Sequence, residues 1–239
     1  MNDKYPYLSI GGLRFNLAND IPVLISAIVV FALVFYLSRK PTLRPKGRQN
    51  LLEWLIDFTN GIVRSAMPGE EGSMFQLFIF VMFLFVFMAN QLGLFIDVNV
   101  SGVTWFHSPT ASPLITMTLA MVVLVLAHYV GVARHGFKGY LKGFVSPMPM
   151  LAPINLLEEF TNFMTLALRL YGNIFAGEVL IMLIRNMALS GKFAILSFPL
   201  GFLAEMAWQG FSVFIGSIQA YIFVTLGSVY ISNKVLSEE

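Results

Sequence analysis

The 239-residue chain contains no cysteine, so disulfides and thiolate metal sites are excluded and the redox compartment stays open. It is also poor in charge. Asp, Glu, Lys and Arg make up 12% of it, against about 25% in a soluble domain. Its three histidines, His107, His128 and His135, stand at no metal-ligand spacing from one another. There is no Gly-rich phosphate loop and no paired nucleophile and base, so neither a metal nor a cofactor is expected. No segment repeats and none is low in complexity. The opening MNDKYPYLSIGGLRF lacks the basic, apolar and small-residue order of a cleaved signal.

What the chain has is apolar length. Hydrophobic residues are 57% of it, with 23 Phe. This composition describes an integral membrane protein with no sizeable soluble domain, and the chain reads as a single membrane domain. Residues 1–20 form an outer N-terminal segment. Residues 21–37 are apolar apart from Ser26 and suit a span of about 20 residues, with Asn19, Asp20 and Pro22 marking its start. Arg39, Lys40, Arg44, Lys46 and Arg48 follow. Short basic loops stay cytoplasmic, which puts the N-terminus outside.

Residues 50–66 differ in kind. Glu53, Asp57, Asn60 and Arg64 recur on one helical face, and Leu51, Leu55, Phe58 and Ile62 on another. Asn50 and Glu53 have the spacing of a capping box. The segment reads as an amphipathic helix in the cytoplasmic interface or against partner helices, or as a linker helix packed on its own protein. Residues 73–95 span outward to Asn90 and Gln91. Residues 97–112 form an outer loop without Lys or Arg, with Trp105 and Phe106 suited to an interfacial aromatic belt. Residues 113–132 span back, and Arg134, Lys138 and Lys142 make a second basic loop. The two basic loops agree on orientation and leave the C-terminus cytoplasmic.

Three prolines in 146–153 forbid regular helix there. A long helix then occupies 155–186, with Asn155 and Glu158 as a second capping box. At 1.5 Å per residue it measures roughly 48 Å, whereas the hydrocarbon core is about 30 Å thick. The last helix, 199–233, is equally overlong. The expected fold is therefore an all-α polytopic membrane protein. It has about five transmembrane helices and one interfacial amphipathic helix, and the last two helices form a long, strongly tilted hairpin.

Arg169 stands in the middle of the first hairpin helix, among Leu166, Ala167, Leu168 and Leu170. A cation that deep costs about 2.5 to 17 kcal/mol at a bilayer centre and points to function. Asn162, Thr165, Arg169 and Asn173 share one helical face, and Glu178 falls on the opposite one. On the last helix Glu205, Gln209, Ser212, Gly216 and Gln219 share a face that is unsuited to lipid. Gly172, Gly177, Gly210 and Gly216 would let neighbouring backbones approach closely. Two readings of Arg169 stay open: a functional charge, or a structural ion pair with Glu178 or Glu205. Arg185, near the outer helix end, is expected to snorkel.

The segment Leu166-Ala167-Leu168-Arg169-Leu170-Tyr171-Gly172-Asn173-Ile174-Phe175-Ala176-Gly177-Glu178 resembles the signature of subunit a of bacterial F-type ATP synthases. Ile218-Gln219-Ala220-Tyr221-Ile222-Phe223 is similar to that family's last-helix motif, and Asn90-Gln91-Leu92-Gly93-Leu94 to its motif at a span end. The resemblance implies a non-catalytic stator subunit in the plasma membrane. Two aqueous half-channels would carry protons to carboxylates of a rotating c-ring. By position, the separating charge falls on Arg169. Channel-lining roles fall on Asn173, Glu178 and Gln219, with Asn162, Thr165 and Asn90 as further pathway groups. The implied partners are the c-ring, peripheral-stalk subunit b, membrane lipids and protons, with no nucleic acid. Two positions depart from the pattern. Ser212 stands where some members carry a histidine, with Glu205 nearby to take over part of its role, and Ser112 stands where some carry an acid. The rival readings are a secondary transporter, which should show repeated halves; a non-catalytic membrane scaffold, which gives no reason for Arg169; and an intramembrane enzyme, which lacks its constellation.

Overall fold

The computed structural model describes residues 7–10, 13–39, 41–42, 47–96, 98–100, 103–106, 108–145, 148–189 and 194–236. Six helices occupy most of the described residues: α1 (Leu17–Ser38), α2 (Arg48–Ala66), α3 (Gln76–Phe95), α4 (Pro113–Val145), α5 (Ala152–Leu189) and α6 (Ala194–Leu236). Five helical stretches are long and apolar enough to cross a membrane, and α2 is the exception. The polytopic all-α architecture is as expected. Two small antiparallel ribbons are an addition: β1 (Tyr7–Ile10) with β2 (Leu13–Asn16), and β3 (Val98–Val100) with β4 (Val103–Phe106). Leu8 pairs with Phe15, and Val100 with Val103. Gly11-Gly12 and Ser101-Gly102 separate the paired stretches in sequence, a composition suited to tight hairpins.

α1, α2, α5 and α6 start earlier than their sequence signals, α4 starts where expected and α3 three residues later, after a 3-10 turn. The Asn16 side-chain oxygen accepts the Ala18 backbone N–H at 3.1 Å, so Asn16 caps α1 and Pro22 lies inside the helix. Gly47 precedes α2 with no side-chain cap, so Asn50 is already helical and the Asn50–Glu53 box does not form. Gln49 reaches both ways instead, donating to Glu53 at 2.7 Å and to the Thr42 carbonyl at 2.8 Å. A 3-10 turn (Glu70–Phe75) leads into α3. Asn155 likewise lies inside α5 rather than at its cap, and donates to the Phe144 carbonyl at 2.8 Å, covering a free acceptor at the end of α4. The second basic stretch is helical, not a loop. A break inside α4 at Gly136, whose φ of 69° and ψ of 160° favour glycine, falls between Arg134 and Lys138. α5 and α6, at 38 and 43 residues, measure about 57 and 65 Å.

The chain divides into two compact units. One comprises Met1–Ala32, Leu84–Ser112 and Leu170–Ala220. Its buried side chains include Ala18, Val30, Val86, Leu170 and Ile174. The end of α3 is stitched to α6 here. Asn90 donates to the Gly216 carbonyl at 2.9 Å, Gln91 to the Val213 carbonyl and the Ser217 hydroxyl at 3.2 and 3.1 Å, and Gln209 to the Leu94 carbonyl at 2.9 Å. α5 and α6 run antiparallel within it: Gly177 meets Trp208, and further along α5 Arg185 meets Glu205.

The other unit comprises Leu33–Phe83, Pro113–Arg169 and Tyr221–Glu239. Val63, Met67, Ile79, Val123, Val224 and Ile231 are buried in it. α2 packs on this unit through Leu52, Thr59, Ile62 and Val63, so packing on its own protein is the reading the coordinates support for that face. Phe58 lies 5.4 Å from Phe83 and 5.9 Å from Tyr221 between ring centroids, and the Ser232 hydroxyl donates to the Ala66 carbonyl at 2.6 Å. Of the apolar face expected on α2, only Ile62 is buried; Leu51 and Phe58 are exposed.

Candidate functional site

In the unit that holds Pro113–Arg169, the polar stripe of α5 is only partly covered. Asn162 and Arg169 are partly buried and Thr165 is exposed, while Leu166 and Ala167 face inward. Arg169 forms no ion pair among the described residues. Tyr230 of α6 is within its electrostatic reach. The same unit holds a cavity of about 380 Å³ lined by Glu158, Glu159, Asn162, Tyr230 and Lys234, among others. Lys234 pairs there with Glu159, and its ammonium lies 4.7 Å from the Phe144 ring centroid. His128 accepts or donates a 2.9 Å hydrogen bond with the Tyr140 hydroxyl. His135, a wall residue of the cavity, has its buried Nε2 without a hydrogen-bond partner among the described residues.

The other unit collects Asn90, Asn173, Glu178, Glu205, Ser212 and Gln219. A second cavity, of about 310 Å³, is bounded by Asn173, Gly177, Trp208 and Ser212 with apolar neighbours. Asn173 is exposed and Glu178 partly buried. Ser212 is 7% exposed and its hydroxyl meets no partner among the described residues. Gln219 is buried and Asn90 fully so, with the Asn90 side-chain oxygen likewise unpartnered. Ser112 is buried and receives the Asn19 amide at 3.4 Å. The polar face of α6 therefore turns inward, as its length on an apolar helix demanded. Among the described residues no cluster of His, Asp and Glu is arranged to hold a metal.

Two expectations change. Arg185 does not simply snorkel: its guanidinium pairs with Glu205 at 2.8 Å, because the antiparallel course of α5 and α6 brings the two together. Glu205 is thereby engaged by Arg185 and not by Arg169. Of the glycines expected at close approaches, Gly216 has Asn90 against it and Gly177 has Ser212, but Gly172 and Gly210 face open space. Sequence reasoning also missed Gln91 and Gln209 as bonds between α3 and α6, the Trp208 indole donating to the Gly177 carbonyl at 3.2 Å, and the Lys234–Glu159 pair. Gln91 was visible as the neighbour of Asn90. Gln209 was visible on the polar face of the last helix; no local signal marks the Trp208–Gly177 bond or the Lys234–Glu159 pair, whose partners are remote in sequence.

Comparison with known proteins converges on one family. The family model described as ATP synthase A chain matches residues 21–232. A Limosilactobacillus reuteri protein named ATP synthase subunit a is 52% identical over 224 residues, 94% of each chain. Proteins of the same name from Enterococcus hirae and Listeria monocytogenes are 46% and 43% identical over the full length of both chains. With five helical stretches among the described residues long and apolar enough to cross a membrane, an arginine set in the middle of the fourth, and a family match that runs from the first span to the last, the chain is a multi-pass membrane protein of the ATP synthase A chain family.

Proposed function

We propose that the chain is the proton-translocating stator subunit of an F-type ATP synthase, building two half-channels against a rotating c-ring with Arg169 as the fixed charge between them. The observation that carries this reading is the state of the cations on α5 and α6. Among the described residues Arg185 and Lys234 each pair with a carboxylate of the facing helix, and Arg169 does not. A cation left only partly covered on a membrane helix needs a counter-charge from elsewhere. A carboxylate on each c-ring subunit would supply it in turn.

The chemistry follows from the guanidinium. A guanidinium stays charged where a lysine could titrate. Facing the ring it favours the ionised form of each arriving carboxylate, and the released proton leaves by the exit path. It also disfavours a second positive charge beside it, so protons do not leak directly between the half-channels and must ride the ring. The polar cavity of Glu158, Glu159 and Asn162, with Thr165 further along α5, supports one path. Asn173, Glu178, Ser212 and Gln219 support the other, with Asn90 behind them. Glu205 contributes only when its pair with Arg185 opens. A membrane potential supplies about 2.3 kcal/mol per charge per 100 mV to drive the steps. The subunit sits in the bacterial plasma membrane with its N-terminus outside and C-terminus in the cytoplasm, beside the c-ring and peripheral-stalk subunit b. It performs no bond-making chemistry itself.

The test is to reconstitute the complete complex with Arg169→Ala. Assembly should persist while ATP synthesis from an imposed proton gradient falls to background. Synthesis at the normal rate would sink the mechanism, and loss of assembly alone would favour a scaffold. In the same assay Glu178→Gln should slow transport without uncoupling it.

A further inference from the structure

The turn from α1 into α2 carries a surface that proton transfer does not use. Tyr36, in the last turn of α1, is 53% exposed, and Arg39 just after it is exposed too. The Arg48 guanidinium, at the start of α2, lies 4.7 Å from the Tyr36 ring centroid. The connection is tied back to α2 because the Thr42 backbone N–H donates to the Gln49 side chain and Gln49 returns a bond to the Thr42 carbonyl, both at 2.8 Å. Leu51, Trp54 and Phe58 follow along α2 at helical spacing, 50%, 60% and 36% exposed, with the Trp54 and Phe58 rings stacked at 6.0 Å. Leu51 and Trp54 form an edge beside the face that α2 buries, and Phe58 joins the two, with one side against Phe83 and Tyr221 and the rest exposed.

Such an edge suits neither bulk water nor the hydrocarbon centre. Aromatic and aliphatic groups bordered by arginines belong at the boundary between them. An apolar partner helix would cover Leu51, Trp54 and Phe58 but give the two arginines nothing. The Arg48 guanidinium lies over the exposed Tyr36 ring, and a guanidinium held on an aromatic ring keeps N–H donors with which to bind phosphate oxygens. We propose that this edge is a binding surface for acidic phospholipid, with acyl chains against Leu51, Trp54 and Phe58 and the anionic phosphodiester against Arg39 and Arg48.

The three tryptophans allow a direct test. The full chain carrying Trp105→Phe and Trp208→Phe keeps only Trp54 as reporter. It is reconstituted in phosphatidylcholine vesicles containing equal fractions of either brominated phosphatidylglycerol or brominated phosphatidylcholine. Phosphatidylglycerol should quench Trp54 preferentially, and Arg39→Gln with Arg48→Gln should lower that preference by roughly fivefold per arginine, the weight of one basic residue at an anionic surface. Raised salt should lower it too. Should the tryptophan variant fold poorly, motional restriction of spin-labelled phosphatidylglycerol against phosphatidylcholine, measured on the otherwise unaltered chain with and without the arginine substitutions, reads the same preference. Equal quenching or restriction by the two lipids, a preference that survives loss of both arginines, or no quenching by either would overturn the proposal; the last would mean that protein covers the edge.

Discussion

Arg169 and Arg185 stand on one helix and meet different surroundings. Arg185 finds Glu205, and with side chains 50% and 26% exposed that pair contributes little beyond order. Arg169 forms no ion pair among the described residues. Gly93 shows the opposite kind of residue, one whose importance lies in having no side chain. A Cβ built there would stand 2.5 Å from the Ser108 backbone Cα, a separation that real Cβ atoms do not tolerate. Ser108 is itself buried and shares a 3.0 Å hydrogen bond with Thr110, so it has little room to yield. Gly93→Ala should therefore destabilise the protein by about 1–3 kcal/mol, the usual cost of overpacking. A lowered midpoint of thermal unfolding in detergent would show it, and an unchanged midpoint would mean the loop moves aside freely.

At the scale of elements, α4 owes its shape to one residue. Gly136 breaks the helix with a backbone conformation nearly closed to other residues, and the chain beyond it folds so that Tyr140 bonds His128 and lies against Gly131. Gly136→Ala should cost about 1–3 kcal/mol of strain. Faster amide exchange across residues 137–145 than across the start of α4 would locate the damage. α6 is organised differently. Its polar face is held inward by hydrogen bonds to α3, with Asn90 and Gln91 donating to α6 carbonyls and Gln209 donating back. Ser212 and Gln219 are buried on an element anchored in this way, whereas the polar stripe of α5 is only partly covered.

At the scale of the molecule, the absence of cysteine makes orientation measurable. Single cysteines introduced at Thr42, beside the first basic loop, and at Ser101, in the loop without Lys or Arg, should react with impermeant thiol reagents from opposite sides. Thr42→Cys should label from the cytoplasm and Ser101→Cys from outside. The reverse pattern would invert the orientation read from the basic stretches without touching the role of Arg169.

Composition and apolar length were enough to determine a polytopic helical protein, its five spans, the separate character of α2 and the mid-helix arginine of α5. These rest on local content: a bilayer demands about 20 apolar residues per span and penalises a charge wherever the chain puts one. Helix ends were less legible. Asn50 and Asn155 carry cap spacing but sit inside helices that start earlier, since a capping pattern is only two residue types and several starts can satisfy it. The tertiary structure alone decided the partners. Glu205 goes to Arg185, Glu159 to Lys234, and Asn90 to the backbone at Gly216, because pairing depends on which helix faces meet and at what register, and residues remote along the chain hold no record of that in their local sequence.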